Sequence, residues 1–348
     1  MFRARSAGGG AARGAGRITV GALAALALLG AAGCSGGPPA ASGTPTTHSR
    51  RPATTLESSA QAEPVVAAPR DQDRIVDCDA PALIAHRGEA GDGRNLPENT
   101  WQAELDAASE GVTYLNMDVR WTEDGVPVAL HDATVDRTTS ETRPDTPITS
   151  LTAADYTALT SRDYAGDTAR GVLDPGVHPD TLAEVLAKVS RTGKPIVLQM
   201  EANPLDPAQA GGTPAQDLTD LAQAIYSSGY ADQVIVAGWT LSDLAALHAV
   251  APQLTLAYLF ETIGANQYPT AGELLAAGAR IVYADYRGID ARRTANWHQG
   301  GLKVWAWTPA TRAAWQSLTT DGVDAIATNW SAYYLAWESH PCSAASAV

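Results

Sequence analysis

Eight short apolar runs recur between residues 82 and 329, separated by stretches that read as helices, and this alternation constrains the fold most. The runs are ALIAH (82–86), TYLNMDV (113–119), PIVLQM (195–200), QVIVAG (233–238), LTLAYLF (254–260), RIVYAD (280–285), LKVWAW (302–307) and DAIATN (324–329). Near-continuous apolar runs of this length suit parallel strands covered on both faces. Between them lie TWQAELDAASEG, DTLAEVLAKVSRTG, PAQDLTDLAQAIYSSG, TLSDLAALHAV and TRAAWQSLTTDG. Several of these open on Thr or Asp, whose oxygens accept free N–H groups at a helix start, and close on Gly. Eight such repeats within about 260 residues predict an α/β fold, a single-domain (β/α)8 TIM barrel. An open doubly wound sheet is the rival, but no glycine-rich dinucleotide turn follows any strand. A further run, VPVALH (126–131), follows the second strand after TEDG and predicts a small hairpin excursion.

A barrel of this kind carries its chemistry at the C-terminal ends of its strands. The residues there are His86, Arg87, Asp118, Glu201, Glu261, Asp285, Trp307 and Asn329. Within YLNMDVR (114–120), strand alternation sets Asn116, Asp118 and Arg120 on one face and Leu115, Met117 and Val119 on the other. Imidazoles, carboxylates and a guanidinium on one rim are more polar than a purely structural barrel requires.

The flanks read differently. Arg3, Arg5, Arg13 and Arg17 precede the apolar run ITVGALAALALLGAAG and then Cys34. A basic start, a short apolar stretch and small residues describe an export signal over residues 1–33. Ala31, Ala32, Gly33 and Cys34 resemble the lipobox of bacterial lipoproteins, which implies a lipid anchor on Cys34 and a place on the outer face of the cell membrane, or otherwise secretion. Residues 34–76, rich in Gly, Pro, Ser and Thr, read as a disordered tether. The barrel is expected over 77–342, with a short tail at 343–348. An oxidising compartment permits Cys78 and Cys342, one at each end of the barrel, to form a disulfide. The formal charge of −14 for the whole chain excludes nucleic acid as a natural partner.

The stretch IAHRGEAGDGRNLPENTWQAELDAASEGVTYLNMDVRWTEDGVPVALHDATVDRTTS (84–140) carries four pieces in order. They are His-Arg-Gly (86–88), Pro-Glu-Asn-Thr (97–100), a strand ending in Asp-Val, and Thr-x-Asp-Gly-x-Pro-Val-x-x-His-Asp (122–132) leading to Asp-Arg-Thr-Thr (136–139). In this order they resemble the glycerophosphodiester phosphodiesterase family. DTLAEVL (180–186), Glu201, VWAWT (304–308) and GVDAIATN (322–329) extend the resemblance across the barrel. It implies hydrolysis of a glycerophosphodiester, a small-molecule substrate, to glycerol 3-phosphate and an alcohol. His86 and His131 match the family's catalytic pair, suited to exchange acid and base roles near neutral pH. Asn116, Asp118 and Glu201 match its ligands for a divalent cation. Arg87 could grip the phosphate with its guanidinium, and Asn203 is placed with the substrate; Trp307 and Tyr286, aromatic residues at strand ends, could line the alcohol pocket or belong to the barrel core. Glu98 is expected to support the site or to cap the helix that starts near Thr100.

Three positions depart from the family pattern: Asn116 stands where Glu is usual, Asn203 where Lys is usual and Asn329 where Asp is usual. The first two changes remove one negative and one positive charge, leaving two carboxylates facing one dication. An amide carbonyl remains an acceptable ligand for Ca2+, which is expected here in preference to Mg2+, at the roughly 10⁻⁴–10⁻³ M affinities of extracellular sites. Two alternatives stay open: an inactive barrel retained as a surface binding lipoprotein, and phospholipase D-like action on lysolipids.

Overall fold

The computed structural model describes residues 80–88, 96–202, 213–262 and 268–339. The expected anchor Cys34, the expected Cys78–Cys342 bridge and Asn203 lie outside the described residues. The strands are β1 (Ala82–Ala85), β2 (Tyr114–Trp121), β3 (Pro127–Ala129), β4 (Ile196–Met200), β5 (Val234–Gly238), β6 (Thr255–Phe260), β7 (Ala279–Asp285), β8 (Lys303–Trp307) and β9 (Ala325–Thr328). All but β3 pair in parallel, in the circular order β1-β2-β4-β5-β6-β7-β8-β9 and back to β1, which closes the barrel. The helices are α1 (Trp101–Glu110), α2 (Ala153–Thr157), α3 (Leu182–Val189), α4 (Ala215–Ser227), α5 (Leu241–Val250), α6 (Ala271–Ala276), α7 (Ala291–Gln299), α8 (Arg312–Thr320) and α9 (Ser331–Glu338).

Alternation within each strand divides the core in two. Leu115, Met117, Val119, Leu198, Met200 and Val236 face outward and pack with helix residues such as Leu182, Val185, Leu221 and Leu244. Ile84, Val197, Ala257, Leu259, Tyr283, Trp305 and Ala327 face inward and fill the barrel. The Trp305 ring lies 5.0 Å from Tyr114 in a tilted arrangement and 5.8 Å from Tyr283 edge-to-face, plugging the lumen with aromatic contacts. The helix starts follow from the sequence. Thr100 accepts from Ala103 N at the start of α1, and Thr181 with Glu184 forms a capping box on α3.

The excursion after β2 is larger than a hairpin. β3 runs antiparallel to β2, pairing Val119 with Ala129, and the chain then continues through α2 before returning at α3. Val128, Leu130, Val135, Ile148, Leu151 and Tyr156 give it a small core of its own. Asp180 ties it to the barrel: its backbone oxygen accepts from Ala129 N and its carboxylate from Trp101 N. Burial is the largest influence on that carboxyl and pushes its pKa up to about 6. Because the folded value lies above the unfolded one, its contribution is fully present below about pH 4 and is lost as pH rises through 6. Asp180→Asn, which mimics the protonated form, is therefore expected to raise neutral-pH stability by roughly 1–2 kcal/mol once solvent screening is allowed for. Urea melts at pH 4 and pH 7.5 check this; an equal effect at both values would refute it.

Candidate active site

The inward parity that fills the lumen continues one step beyond the apolar layer, and there it turns polar. His86 follows Ile84, Asp118 follows Asn116, Glu201 follows Gln199 and Val197, and Trp307 follows Trp305. The ring opens into a cavity of about 550 Å3 whose walls include His86, Arg87, His131, Glu201, Trp239, Trp307 and Asn329. That volume lies within the range of small-molecule sites.

A sharp turn after β1 sets the first two groups. Arg87 and Gly88 both have positive φ, 55° and 74°. A Cβ on Gly88 would lie 2.6 Å from the Ala103 Cβ, so only glycine fits against α1. A left-handed Arg is strained, and such strain persists only where the surroundings impose it. Here the imposing contact is Arg87 N–H donating to Asn116 Oδ1 at 3.3 Å. Asn116 in turn donates its Nδ2 to Val197 O at 3.2 Å.

The two imidazoles have unlike partners. His86 Nδ1 meets the amide oxygen of Asn329 at 2.5 Å, so Nδ1 carries the proton and Nε2 the lone pair. Burial and then the adjacent Arg87 guanidinium bring its pKa down to about 4. His131 Nδ1 meets a carboxylate, Asp132 Oδ1, at 2.8 Å. Burial and Arg87 would lower His131, but Asp132, Glu201 and Asp118 outweigh them and its pKa is raised. Arg120, expected on the site face with Asn116 and Asp118, sends its Nε to His131 O at 2.6 Å and holds that backbone. The geometry thus pairs a neutral, base-type imidazole with one disposed to carry a proton.

Asp118 is fully buried, and Asn99 clamps it from both sides. Asn99 Nδ2 donates to Asp118 Oδ2 at 2.9 Å, and Asn99 Oδ1 accepts from Asp118 N at 2.8 Å. Arg87 Nε lies 3.0 Å from Asp118 Oδ2, an ion pair without a well-aligned hydrogen bond. Burial would raise the Asp118 carboxyl, but Arg87 and the two imidazoles hold it below the usual range. Its Oδ1 has no hydrogen-bond partner among the described residues. Glu201 is also buried; Gln199 Nε2 donates to its Oε1 at 2.6 Å, and burial leads the causes that raise its pKa.

A divalent cation fits this donor set. Among the described residues Asp118 Oδ1 is a buried acceptor without a hydrogen-bond partner, and Glu201 is a desolvated carboxylate whose burial outweighs the nearby His131 and Arg120. The Asn116 carbonyl keeps a second lone pair beside its contact with Arg87 N. Among the described residues no three His, Cys, Asp or Glu side chains form a ready-made metal cluster, so the third ligand is left to the amide.

Other expected site residues fall as follows. Thr100, not Glu98, caps α1; Glu98 instead binds Arg87 Nη1 at 3.3 Å and both terminal nitrogens of Arg137, at 3.0 and 2.7 Å. Trp307 lines the cavity, its Nε1 donating to Tyr283 O. Tyr286 does not line it: it packs on the outer core, with the Arg287 guanidinium near its ring. Asp285 is buried and bound by Arg287, while Glu261 reaches the cavity wall. Trp239, edge-to-face with Trp307 at 5.7 Å, was missed, although it continues the inward parity of β5. Asn99, Asp132 and Arg137 fall within the family-like pieces of sequence but carried no assigned role there, and Asp167 falls outside those pieces. Asp167 lies on the excursion, 3.4 Å from Arg87 Nη1.

Residues 86–332 match the glycerophosphoryl diester phosphodiesterase family. Over 61 residues the chain is 51% identical to glycerophosphodiester phosphodiesterase 1 of Rattus norvegicus, a stretch that is 18% of each chain. The chain thus spans less than a fifth of the length of that relative. It is 26% identical over 248 residues to a glycerophosphodiester phosphodiesterase of Caldanaerobacter subterraneus, covering 71% of this chain and 93% of that one. An Oleispira antarctica phosphodiesterase, solved with the product sn-glycerol-3-phosphate, superposes with a TM-score of 0.60 at 20% identity, over 74% of this chain and 96% of its own. A Silicibacter pomeroyi protein assigned to the glycerophosphoryl diester phosphodiesterases gives 0.64 at 22%, over 72% and 90%. At such identities these two likenesses bear on the fold alone. The family match extends over most of the chain and takes in the polar ring of the barrel, and on that ground the chain belongs to the glycerophosphoryl diester phosphodiesterase family.

Proposed function

We propose that this chain hydrolyses glycerophosphodiesters to glycerol 3-phosphate and an alcohol. The observation that carries the reading is the pair of unlike imidazoles on one cavity, His86 on an amide and His131 on a carboxylate. His86 Nε2 takes a proton from the attacking oxygen as its bond to phosphorus forms. His131 Nε2–H gives a proton to the alcohol oxygen as the bond from phosphorus to that oxygen breaks. Arg87 grips the non-bridging oxygens. Trp307 and Trp239 wall the alcohol side, and Asn203 is assigned to the substrate on the family resemblance. Asp118, Glu201 and the Asn116 carbonyl would hold a divalent cation, Ca2+ by preference, which when bound supplies charge neutralisation at the phosphate. The export signal and Cys34 support a lipid-anchored protein outside the cytoplasm.

Incubation with glycerophosphocholine and CaCl2 is expected to release glycerol 3-phosphate, and EDTA to suppress the release by at least about 10-fold. Release that ignores EDTA would sink the metal assignment. No release from glycerophosphodiesters, with turnover of lysophosphatidylcholine, would favour phospholipase D-like action; no turnover of either would favour a binding lipoprotein.

A further inference from the structure

One guanidinium joins the group that holds His131 to the group that holds Arg87. Arg137 donates Nη2 to Asp132 Oδ1 at 3.1 Å, and its Nε bonds Asp132 Oδ2. The same side chain bonds both oxygens of Glu98, Nη1 to Oε2 at 3.0 Å and Nη2 to Oε1 at 2.7 Å. Glu98 then meets Arg87 Nη1, and Arg87 meets Asp118. From His131 the row runs Asp132, Arg137, Glu98, Arg87, Asp118, alternating in sign from the first carboxylate onward. It spans four separate pieces of chain: the end of β1, the turn before α1, β2 and the excursion. Arg137 is only 11% exposed and is not among the residues that wall the cavity, so it acts on the reaction through its neighbours.

We propose that Arg137 is a positioning residue that keeps the proton-donating imidazole and the phosphate-gripping guanidinium in register. The inference rests on the hydrolytic reading above. A guanidinium presents N–H pairs on two edges in a fixed plane, which lets it hold two carboxylates at a set mutual angle. An ammonium has no such fork. Without Arg137, Asp132 and Glu98 are two carboxylates on a shared, mostly buried site with the cation between them removed. Asp132 is then free to turn from His131 Nδ1, and Glu98 from Arg87.

The consequence depends on the leaving group, as a purely architectural role would not. An alkanol needs a proton from His131 as it departs, whereas 4-nitrophenol leaves as a stabilised phenolate. The test compares glycerophosphocholine with glycerol 3-phosphate 4-nitrophenyl ester in the wild-type chain, Arg137→Met and Arg137→Lys. For Arg137→Met, kcat on the choline diester is expected to fall by about 100-fold and on the aryl diester by less than about 10-fold, the difference being the general-acid share. KM should rise for both, through Arg87. Arg137→Lys keeps the charge without the fork and should show the same pattern at reduced size, which keeps the test open if the methionine variant does not fold. Equal losses on both substrates with unchanged KM, in a variant that melts like the wild type, would overturn the proposal alone. Failure of the wild-type chain to cleave either diester would overturn the hydrolytic reading and this proposal with it.

Discussion

Alanine at position 86 is expected to lower kcat on glycerophosphocholine by about 1000-fold, within the range that a positioned acid–base group supplies. The loss should be similar for alkyl and aryl leaving groups, because a base acts on the attacking oxygen, not on the departing one. The unlike partners of the imidazoles carry this argument. Asn329 accepts the His86 Nδ1–H without offering a charge to an imidazolium, and burial and then Arg87 keep Nε2 unprotonated until the pH falls to about 4. A plot of log kcat/KM against pH should accordingly keep its acidic limb well below the ordinary histidine value. Asn329→Asp places a carboxylate on Nδ1, stabilises the charged ring and should move that limb up by at least about one unit, worth about 1.4 kcal/mol. A wild-type limb near 6.5, unmoved by Asn329→Asp, would assign the base role elsewhere.

What the sequence discloses here, and what it hides, follows from the range of each interaction. Strand parity is local: ALIAH, YLNMDVR and PIVLQM declare which side chains share a face, and the closed sheet makes those faces one lumen. That is why His86, Asp118, Glu201 and Trp307 are legible from the order of residues. Trp239 obeys the same parity and needed only one more step along β5. Asn99 is different. It clamps Asp118 from a turn nineteen residues away in a left-handed conformation, φ 57°, and no periodicity announces such a contact. Arg137 and Asp167 reach the site from the excursion, whose path is set by its own small core and by Asp180 rather than by the barrel repeat. The excursion reads as a hairpin because only its first turn is local.

Asn116 gains a second meaning from its partners. By charge alone it is a neutral substitute for a carboxylate, matched by Asn203. Its Nδ2 donates to the backbone of β4 while its Oδ1 receives the strained Arg87 N–H, and a carboxylate has no N–H to give to Val197 O. The amide therefore braces the turn that presents both His86 and Arg87, beside any part it takes as a metal ligand. A glutamate there would add charge to the proposed cation site and would lose that brace.

Asp118→Asn is expected to abolish stabilisation by calcium and also to cost about 3 kcal/mol without it, since it removes one partner of a buried ion pair. Arg87 would keep Glu98 and the exposed Asp167, which holds the cost at the lower end for such pairs. The depressed carboxyl of Asp118 contributes stability that is present above the unfolded value near pH 4 and is lost as pH falls through the lower folded value. The gap between wild type and variant should therefore narrow in acid. Glu201 provides the contrast that separates a metal site from a structural one. Its pKa is raised, chiefly by burial, so its charge is a burden at neutral pH in the absence of a cation. Glu201→Gln keeps an acceptor for Gln199 Nε2 and should melt at or above the wild-type temperature in EDTA, while still losing the calcium response. Thermal melts of the three proteins in EDTA and in millimolar CaCl2 decide the matter. A binding site lifts the melting temperature by mass action only where its ligands survive. If both variants keep the wild-type calcium shift, these two carboxylates do not hold the cation. If both lose it while moving in opposite directions in EDTA, each has one identifiable part: Asp118 balances Arg87, and Glu201 waits for the metal.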